Sequence, residues 1–380
     1  MGNLVPRGNI PAVRLGCKYP LPRSHRSGNG LLWLLVVIAA AALIWLWWAG
    51  VRQHVHKPTP RVAEVVTAQR IVSSNSLPRP KSNGPLVSGI AELPRPVETV
   101  FEAQLALDRR GISSGSLDGK IGSQTRAAIR AFQHQAKLPE TSELDDLTKT
   151  NLILDAPPLT NYIVTSNDLA RLQPLSPTWL GKSQQTALDY ETILELAAEK
   201  NHSHPDLVRR LNPGVAWTNM PAGTSLRVPD VSADDDPTNK AAFARISLSD
   251  KVLEAFDEET NLLVHFPCSI AQRVEKRPVG ELHVAVVAPN PNYTFVPDLF
   301  PESPEAKEQP GVKLILPPGP NNPVGTVWIG LDKSGYGIHG TPRPEDVGRT
   351  ESHGCFRLAN WNAERLLKLV WMGMPVYVDP

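Results

Sequence analysis

The chain has 380 residues, enough for two or three domains at roughly 100–200 residues each. Hydrophobic residues make up 41% and charged residues 20%, a composition that excludes global disorder. The net charge of +1 conceals an asymmetry: residues 1–30 and 51–97 each carry +5, whereas residues 98–380 carry −9, which argues against nucleic acid as a partner. Three cysteines are too few for a disulfide scaffold, and their spacing fits no zinc module.

Residues 31–50, LLWLLVVIAAAALIWLWWAG, contain no charged side chain. About 20 apolar residues span a bilayer as a helix, and Trp45, Trp47 and Trp48 stand at one end, where indoles favour the membrane interface. The alternative is a cleaved signal peptide, but its charged leading region would be unusually long and Trp47 spoils the small-residue cleavage pattern. We therefore expect residues 1–30 to be a tail and residues 31–50 a transmembrane anchor.

A flexible linker is predicted for residues 51–97, where seven prolines are scattered among serine and glycine. Basic residues flank both ends of the anchor, so the positive-inside signal is weak. The orientation of the chain in the membrane therefore has to come from what the rest of the chain does.

Residues 98–156 carry the pattern of three short helices around a small core. Gly111 ends the first helix, and Ser123 is placed to cap the second. The stretch LDGKIGSQTRAAIRAFQHQAKLPETSELDDLT resembles the peptidoglycan-binding three-helix domain, with the pattern DG-x-x-G-x-x-T-x-x-A-hydrophobic-x-x-F-Q intact. The resemblance implies an all-α module that binds the bacterial wall polymer. Many residues of the pattern serve the core or the turns of the module. The pattern therefore identifies the family more firmly than it identifies a sugar-binding site.

Residues 159–231 form a second module, in which two predicted helices stand between short strands. The segments Tyr162-Ile163-Val164, LVRRLNPG and PAGTSLRVP resemble a degenerate LysM module, a βααβ unit that binds N-acetylglucosamine-containing glycans. The usual G-D-T-L after the first strand is missing, and an insertion of roughly twenty residues replaces it. A packing spacer without glycan binding is the alternative.

Residues 241–380 are rich in strand patterns. Alternation predicts strands at residues 243–248, 252–256 and 262–266, with further strands at 284–287 and 327–330. One helix is predicted from Asn362 to Trp371. The segment from Pro289 to Pro323 holds ten prolines in 35 residues, and a loop this long inside a compact domain is usually functional or disordered. We expect it to form part of a substrate groove or a lid, the alternative being a passive surface insertion.

The residues with the clearest chemistry stand near the end of the chain. His339 lies sixteen positions before Cys355, a gap that can join two adjacent strands and place an imidazole over a thiol. An imidazole favours the reactive thiolate. His353 would share a strand face with Cys355, and the amides of Gly354 and Cys355 could donate to a developing oxyanion. A buried inert thiol is the simpler alternative, and a zinc site lacks a fourth ligand at normal spacing.

The stretch IHGTPRPEDVGRTESHGCFRL is similar to the motif of the L,D-transpeptidase catalytic (YkuD-type) family, which is His-Gly, a loop, and then Ser/Thr-His-Gly-Cys. Upstream, RPVGELHV and NNPVGTVWIGL resemble two further segments of that family. The resemblance covers the whole third module and implies a mostly-β catalytic domain. Arg357 stands where some relatives carry Asn. Gly340 stands where some place a Ser that orients the base, so a backbone carbonyl would have to orient His339 here.

The family resemblance implies acyl transfer on peptidoglycan stem peptides, without a cofactor or metal. Cys355 would be the nucleophile, acylated by carbapenems as in family members, and His339 the general base. Ser352, His353 and Gly354 would shape the catalytic and oxyanion region. The expected substrate-binding residues are Arg357, Tyr336 and Gly340.

Peptidoglycan lies outside the bacterial cytoplasmic membrane. We therefore expect a single-pass inner-membrane protein with a cytoplasmic tail, a periplasmic catalytic part, and peptidoglycan and the membrane as its partners. Depending on the acceptor, the enzyme would form 3→3 crosslinks or attach proteins to the wall. The alternatives are a carboxypeptidase that uses water and a non-catalytic protein that only binds the wall.

Overall fold

A computed structural model of the chain describes residues 92–232, 239–297, 303, 311–350 and 354–380. The predicted tail, the predicted anchor at residues 31–50 and residues 51–91 of the predicted linker lie outside the described residues. Within the described ranges, no helix has the length and apolar character needed to cross a membrane.

The first module contains helices and one short ladder of strands. Helices α1, α2 and α3 are Val100–Arg109, Ser123–Gln135 and Asp146–Asn151, and strands β1 (Arg95–Pro96) and β2 (Ile153–Leu154) pair antiparallel. Thr99 and Asp145 cap α1 and α3 through side-chain hydrogen bonds. The expected cap at Ser123 is wrong: Gly122, in extended backbone, is the N-cap of α2, and Ser123 is the first helical residue.

The middle module is a two-stranded antiparallel sheet with helices between its strands. Strands β3 (Leu159–Ile163) and β4 (Ser225–Pro229) pair along their full lengths. The four intervening helices are α4 (Ser166–Arg171), α5 (Trp179–Ser183), α6 (Ile193–Lys200) and α7 (Pro205–Leu211). Side chains of α6, α7 and both strands share one core. The βααβ arrangement is therefore present, with α4 and α5 in the inserted segment, whereas LysM membership remains a prediction.

The third module is built on one eight-stranded sheet. In chain order its strands are β5 (Phe243–Ser247), β6 (Val252–Phe256), β7 (Leu262–Pro267), β8 (Gly280–Pro289), β11 (Val327–Leu331), β12 (Gly337–His339), β13 (Phe356–Arg357) and β14 (Pro375–Asp379); β9 and β10 form a separate sheet, given below. The strand order in the sheet is β13-β12-β11-β8-β14-β5-β6-β7. The pairs β12–β13 and β14–β5 are parallel. Of the catalytic residues proposed from the sequence, His339 lies on β12 and Cys355 directly before β13, at this edge of the sheet.

The helix of this module, α8, spans Asn360–Leu369, two residues earlier than predicted. Its apolar side packs on the sheet through Ala363, Leu366 and Leu369. The chain leaves the helix after Leu369 and turns through Gly373, whose φ of +92° favours glycine, into β14. That turn explains why the apolar Val370 and Trp371 lie beyond the helix end.

The proline-rich segment forms a second, two-stranded sheet. Strand β9 (Tyr293–Phe295) pairs antiparallel with β10 (Leu314–Leu316); residues 298–302 and 304–310 between them lie outside the described residues. Phe295 stacks on Trp179 of α5 with ring centroids 4.4 Å apart. The inserted segment of the middle module and the proline-rich segment thus share a hydrophobic cluster.

The first module contacts the edge strand β7 of the eight-stranded sheet. Ser113 N–H donates to the carbonyl of His265 at 2.8 Å, and His265 N–H donates to the carbonyl of Gly111 at 2.9 Å. An open edge strand offers unpaired backbone groups to other chains. The contact covers part of this edge and fixes the first module on the catalytic sheet.

Candidate functional site

The parallel pairing of β12 and β13 places the predicted base and nucleophile on neighbouring segments of the chain. Ile338 stands opposite Phe356, and His339 opposite Arg357. Cys355 lies in the bend directly before β13, two residues before Arg357. The Cys355 thiol lies 3.5 Å from the carbonyl oxygen of Gly335, in the turn that leads into β12. The sixteen-residue gap therefore joins adjacent strands, as the sequence suggested.

His339 is buried and held by a backbone carbonyl. Its Nδ1 lies 2.6 Å from the carbonyl oxygen of Gly340, so Nδ1–H donates and Nε2 keeps its lone pair. Burial lowers the pKa of His339 to about 4, with the positive charge of Arg357 acting in the same direction. The ring also stacks on Trp328 at 5.7 Å. At neutral pH the imidazole is uncharged and able to accept a proton.

Two cysteines among the described residues are free, and they differ in exposure. Cys268 is fully buried, and burial raises the pKa of its thiol to about 12. Cys355 is half-buried; burial raises its pKa too, while a hydrogen bond from the Gly337 backbone acts in the opposite direction. The thiol at Cys355 and the imidazole at His339 are thus both neutral at rest. Proton transfer to the imidazole must accompany attack by the sulfur.

Gly340 lies where a larger residue would not fit. It is buried, and a Cβ atom built on it would collide with Oδ1 of Asn360. Since its carbonyl already accepts from His339, Gly340 orients the base through its backbone. Contact of Gly340 with substrate stays a prediction.

A row of glycines lies beside the nucleophile. Gly330 of β11 stands opposite Gly337 of β12, and a Cβ atom on either would press against the indole of Trp328. Because neither glycine has a side chain, the indole can lie flat over the strands next to His339. Trp328 was not among the site residues predicted from the sequence. Its sequence signal is its place in NNPVGTVWIGL, the segment that resembles part of the L,D-transpeptidase family.

The hairpin of β9 and β10 carries a tyrosine whose pKa is shifted. Burial raises the pKa of Tyr293, and negative charge on Cys355 acts in the same direction. A role of the proline-rich segment in the substrate groove stays a prediction.

Of the remaining predicted site residues, Tyr336, Gly354 and Arg357 are among the described residues. Tyr336 is half-buried in the turn between β11 and β12. Arg357 is half-buried on β13, donates to Thr350 Oγ1 at 3.2 Å, and exchanges backbone hydrogen bonds with Ser269. Gly354 is half-buried in the bend before β13. Ser352 and His353 lie outside the described residues, so their roles remain predictions.

Within the described ranges, no group of three or more His, Cys, Asp or Glu side chains is placed to hold a metal ion.

A buried carboxyl group lies beyond Gly340, across the boundary with the middle module. Glu199 of α6 accepts from Nδ2 of Asn360 at 2.9 Å and from the hydroxyl of Tyr190 at 3.3 Å. Burial raises the pKa of Glu199 to about 8. The group is therefore largely protonated at neutral pH.

Replacing Glu199 with glutamine is expected to stabilise the protein at alkaline pH. A carboxyl whose folded pKa exceeds its unfolded value contributes stability that is complete below the unfolded pKa and is lost as pH rises through the folded pKa. From pH 5 to pH 8 the wild type should lose on the order of 3 kcal/mol relative to Glu199→Gln. Urea unfolding at both pH values measures the difference, with the exposed Glu364→Gln as control. Equal pH dependence in both variants would contradict the buried-acid assignment.

Two models of known families match the chain. Residues 241–378 match the "L,D-transpeptidase catalytic domain" and residues 97–152 the "Putative peptidoglycan binding domain". Neither match covers the middle module. The chain therefore contains an L,D-transpeptidase catalytic domain preceded by a peptidoglycan-binding domain.

Several individual proteins are similar to this chain. "Putative L,D-transpeptidase YkuD" of Bacillus licheniformis is 25% identical over 190 residues, which cover 50% of this chain and 94% of that protein. "Putative L,D-transpeptidase YqjB" of Bacillus subtilis is 36% identical over 106 residues, covering 27% of this chain and 51% of that protein. Among solved structures, L,D-transpeptidase 3 of Mycobacterium tuberculosis has a TM-score of 0.29 and 17% identity, covering 43% of this chain and 77% of that chain.

Proposed function

We propose, from the premise that residues 241–378 are an L,D-transpeptidase catalytic domain, that this chain transfers acyl groups between peptidoglycan stem peptides through a thioester on Cys355. One observation carries the proposal: Cys355 directly precedes β13, and the neighbouring strand β12 carries a buried, neutral His339 whose Nδ1 is engaged by Gly340. A thiol nucleophile needs a base of this kind on a neighbouring segment. The peptidoglycan-binding domain in the same chain supports the same polymer as substrate.

The proposed reaction has two steps. Nε2 of His339 takes the thiol proton while the sulfur of Cys355 attacks the carbonyl between the third stem residue and the terminal D-Ala. The amides of Gly354 and Cys355 donate to the oxyanion, and the imidazolium returns the proton to the departing D-Ala amine. An acceptor amine then attacks the thioester and frees the thiol. A diaminopimelate acceptor gives a 3→3 crosslink, a protein lysine gives wall attachment, and water gives carboxypeptidase activity.

The rest of the chain is proposed to hold this reaction at the wall. Residues 31–50 would anchor the protein in the bacterial inner membrane, and residues 51–380 would lie in the periplasm. Within that part, residues 51–97 would span the distance to the wall. The LysM-like middle module would add a glycan contact. Arg357 would hold a carboxylate of the stem peptide.

Covalent capture by a carbapenem separates the enzyme from a protein that only binds the wall. We expect the purified protein to gain the mass of one carbapenem, and digestion to place the adduct on Cys355 and not on Cys268. Release of D-Ala from a tetrapeptide stem should occur in the same preparation. A protein that binds peptidoglycan but neither gains mass nor releases D-Ala would support the non-catalytic alternative.

A further inference from the structure

One peptide unit links the base to a buried amide on α8. The carbonyl of the Gly340–Thr341 peptide unit accepts from His339 Nδ1 at 2.6 Å. The N–H of the same unit, on Thr341, donates to Oδ1 of Asn360 at 2.9 Å. A peptide unit is planar, so fixing its N–H also fixes the direction of its C=O. The orientation of the His339 ring therefore depends on Asn360.

Asn360 is held on every side. Its Oδ1 also accepts from Thr326 N–H at 3.3 Å, and its Nδ2 donates to the carbonyl of Pro320 at 3.2 Å and to Glu199 Oε1 at 2.9 Å. A side-chain amide offers two acceptor sites and two donors, so all four are used. The residue is 1% exposed. This amide has one geometry that satisfies its partners, which makes it a rigid support.

The chain of contacts begins outside the catalytic module. Glu199 lies on α6 of the middle module, 161 residues before Asn360, and Tyr190 of the same module donates to it. Because the Glu199 carboxyl is largely protonated, it accepts from Asn360 without placing a full charge beside the base.

We propose that Asn360 and Glu199 are positioning residues for His339, so that the middle module completes the catalytic machinery of the third. The expected loss of kcat rests on the proposed function. The expected effect on the orientation of the His339 ring rests on the hydrogen bonds alone. It gives the middle module a role in the reaction itself, separate from any glycan binding.

The matched control stands two residues away on the same helix. Asn362 is also a buried asparagine of α8, 3% exposed, and its Nδ2 donates to Ser113 Oγ of the first module at 3.2 Å. Asn362→Ala removes a buried hydrogen bond between modules, as Asn360→Ala does. The bond lost in Asn362→Ala is not connected to His339. Any loss common to Asn360→Ala and Asn362→Ala is therefore structural.

The kinetic test compares these variants in the full chain, with release of D-Ala from a tetrapeptide stem as the assay. Asn360→Ala should lower kcat about 10- to 100-fold while KM stays within about twofold. Asn362→Ala should retain kcat within about twofold. Glu199→Ala should lower kcat, and Glu199→Gln should restore it because the amide oxygen still accepts from Asn360. Equal kcat losses in Asn360→Ala and Asn362→Ala, or no rescue by glutamine, would overturn the proposal.

A second readout needs no substrate. In protein labelled with ¹⁵N-histidine, the neutral ring of His339 should be the Nδ1–H tautomer. The His339 signal is assigned as the one that is missing in His339→Gln. Asn360→Ala should lower the share of that tautomer, and Asn362→Ala should not. If the wild type released no D-Ala, the proposed function would be wrong. The tautomer measurement would still show whether Asn360 positions the His339 ring. An unchanged tautomer in Asn360→Ala would overturn the positioning role.

Discussion

Replacing Cys355 with alanine should abolish thioester formation and leave the fold intact. Cys355 is half-buried in a bend before β13, so the substitution removes one sulfur atom at the margin of the core. Loss of a nucleophile that acts together with its base costs on the order of 10⁴-fold or more in kcat. Release of D-Ala from tetrapeptide stems and the mass gain with a carbapenem should both fall to background.

The matched control is Cys268→Ala. Cys268 is a fully buried core residue whose thiol has a pKa of about 12, so it carries no reactive thiolate at neutral pH. Its truncation should lower stability by about 1 kcal/mol through the small cavity it leaves and should keep kcat within about threefold. Residual D-Ala release by Cys355→Ala would show that another group carries the reaction. A carbapenem adduct on Cys268 would mean that the core opens in solution.

The sequence predicts those parts of this protein that depend on local pattern. Strand-like residue patterns located β5, β6 and β7 to within one residue at every end, and burial alternates along β5 as the pattern predicts. The spacing of His339 and Cys355 predicted adjacent strands, and the absence of a side chain at Gly340 predicted a backbone carbonyl as the partner of the base. The β12–β13 pairing and the Gly340 contact have these forms.

The contacts that join the modules could not be predicted in this way. Asn360 and Glu199 are 161 residues apart, and each alone reads as an ordinary polar residue near a helix end. The stacking of Trp179 on Phe295 joins two insertions whose lengths suggest only loops. The predicted N-cap of α2 was wrong for a related reason. The backbone is extended at Gly122, so Gly122 and not Ser123 is the N-cap. Tertiary packing decides these positions, and local propensity does not report it.

The packing of the modules also changes what they are expected to do. Flexible tethering would raise the local concentration of substrate, but both N-terminal modules make direct hydrogen bonds to the catalytic module. Gln124 of α2 donates to the carbonyl of Val347, in the loop between His339 and Cys355. The first module therefore supports the catalytic loop from one side, while the middle module supports Asn360 from another.

His339 should set an acid limit on catalysis near pH 4. Burial lowers its pKa to about 4, so the imidazole can accept the thiol proton well below pH 6.5. We expect kcat/KM for D-Ala release to stay level from neutral pH to about pH 5 and then to fall about tenfold per pH unit below pH 4. His339→Gln should lose about 10²- to 10⁴-fold in kcat, the usual contribution of a general base. An acid limb near pH 6.5 would show that the ring is exposed to solvent in the working enzyme.

The lowered pKa of His339 also predicts how the free energy of unfolding changes with pH. This measurement separates protonation of the base from unfolding at low pH. A group whose folded pKa is depressed contributes stability that is present above its unfolded pKa and is lost as pH falls through the folded pKa. Between pH 6.5 and pH 4, His339 should therefore cost the wild type on the order of 3 kcal/mol, because the unfolded chain binds a proton that the folded chain does not. His339→Gln has no such group, so its free energy of unfolding should decline less over that range. Urea unfolding of both proteins at pH 7 and pH 4.5 measures this difference. If the two declined equally, His339 would be protonated in the folded protein, and the fall in kcat/KM at low pH would have to come from another group.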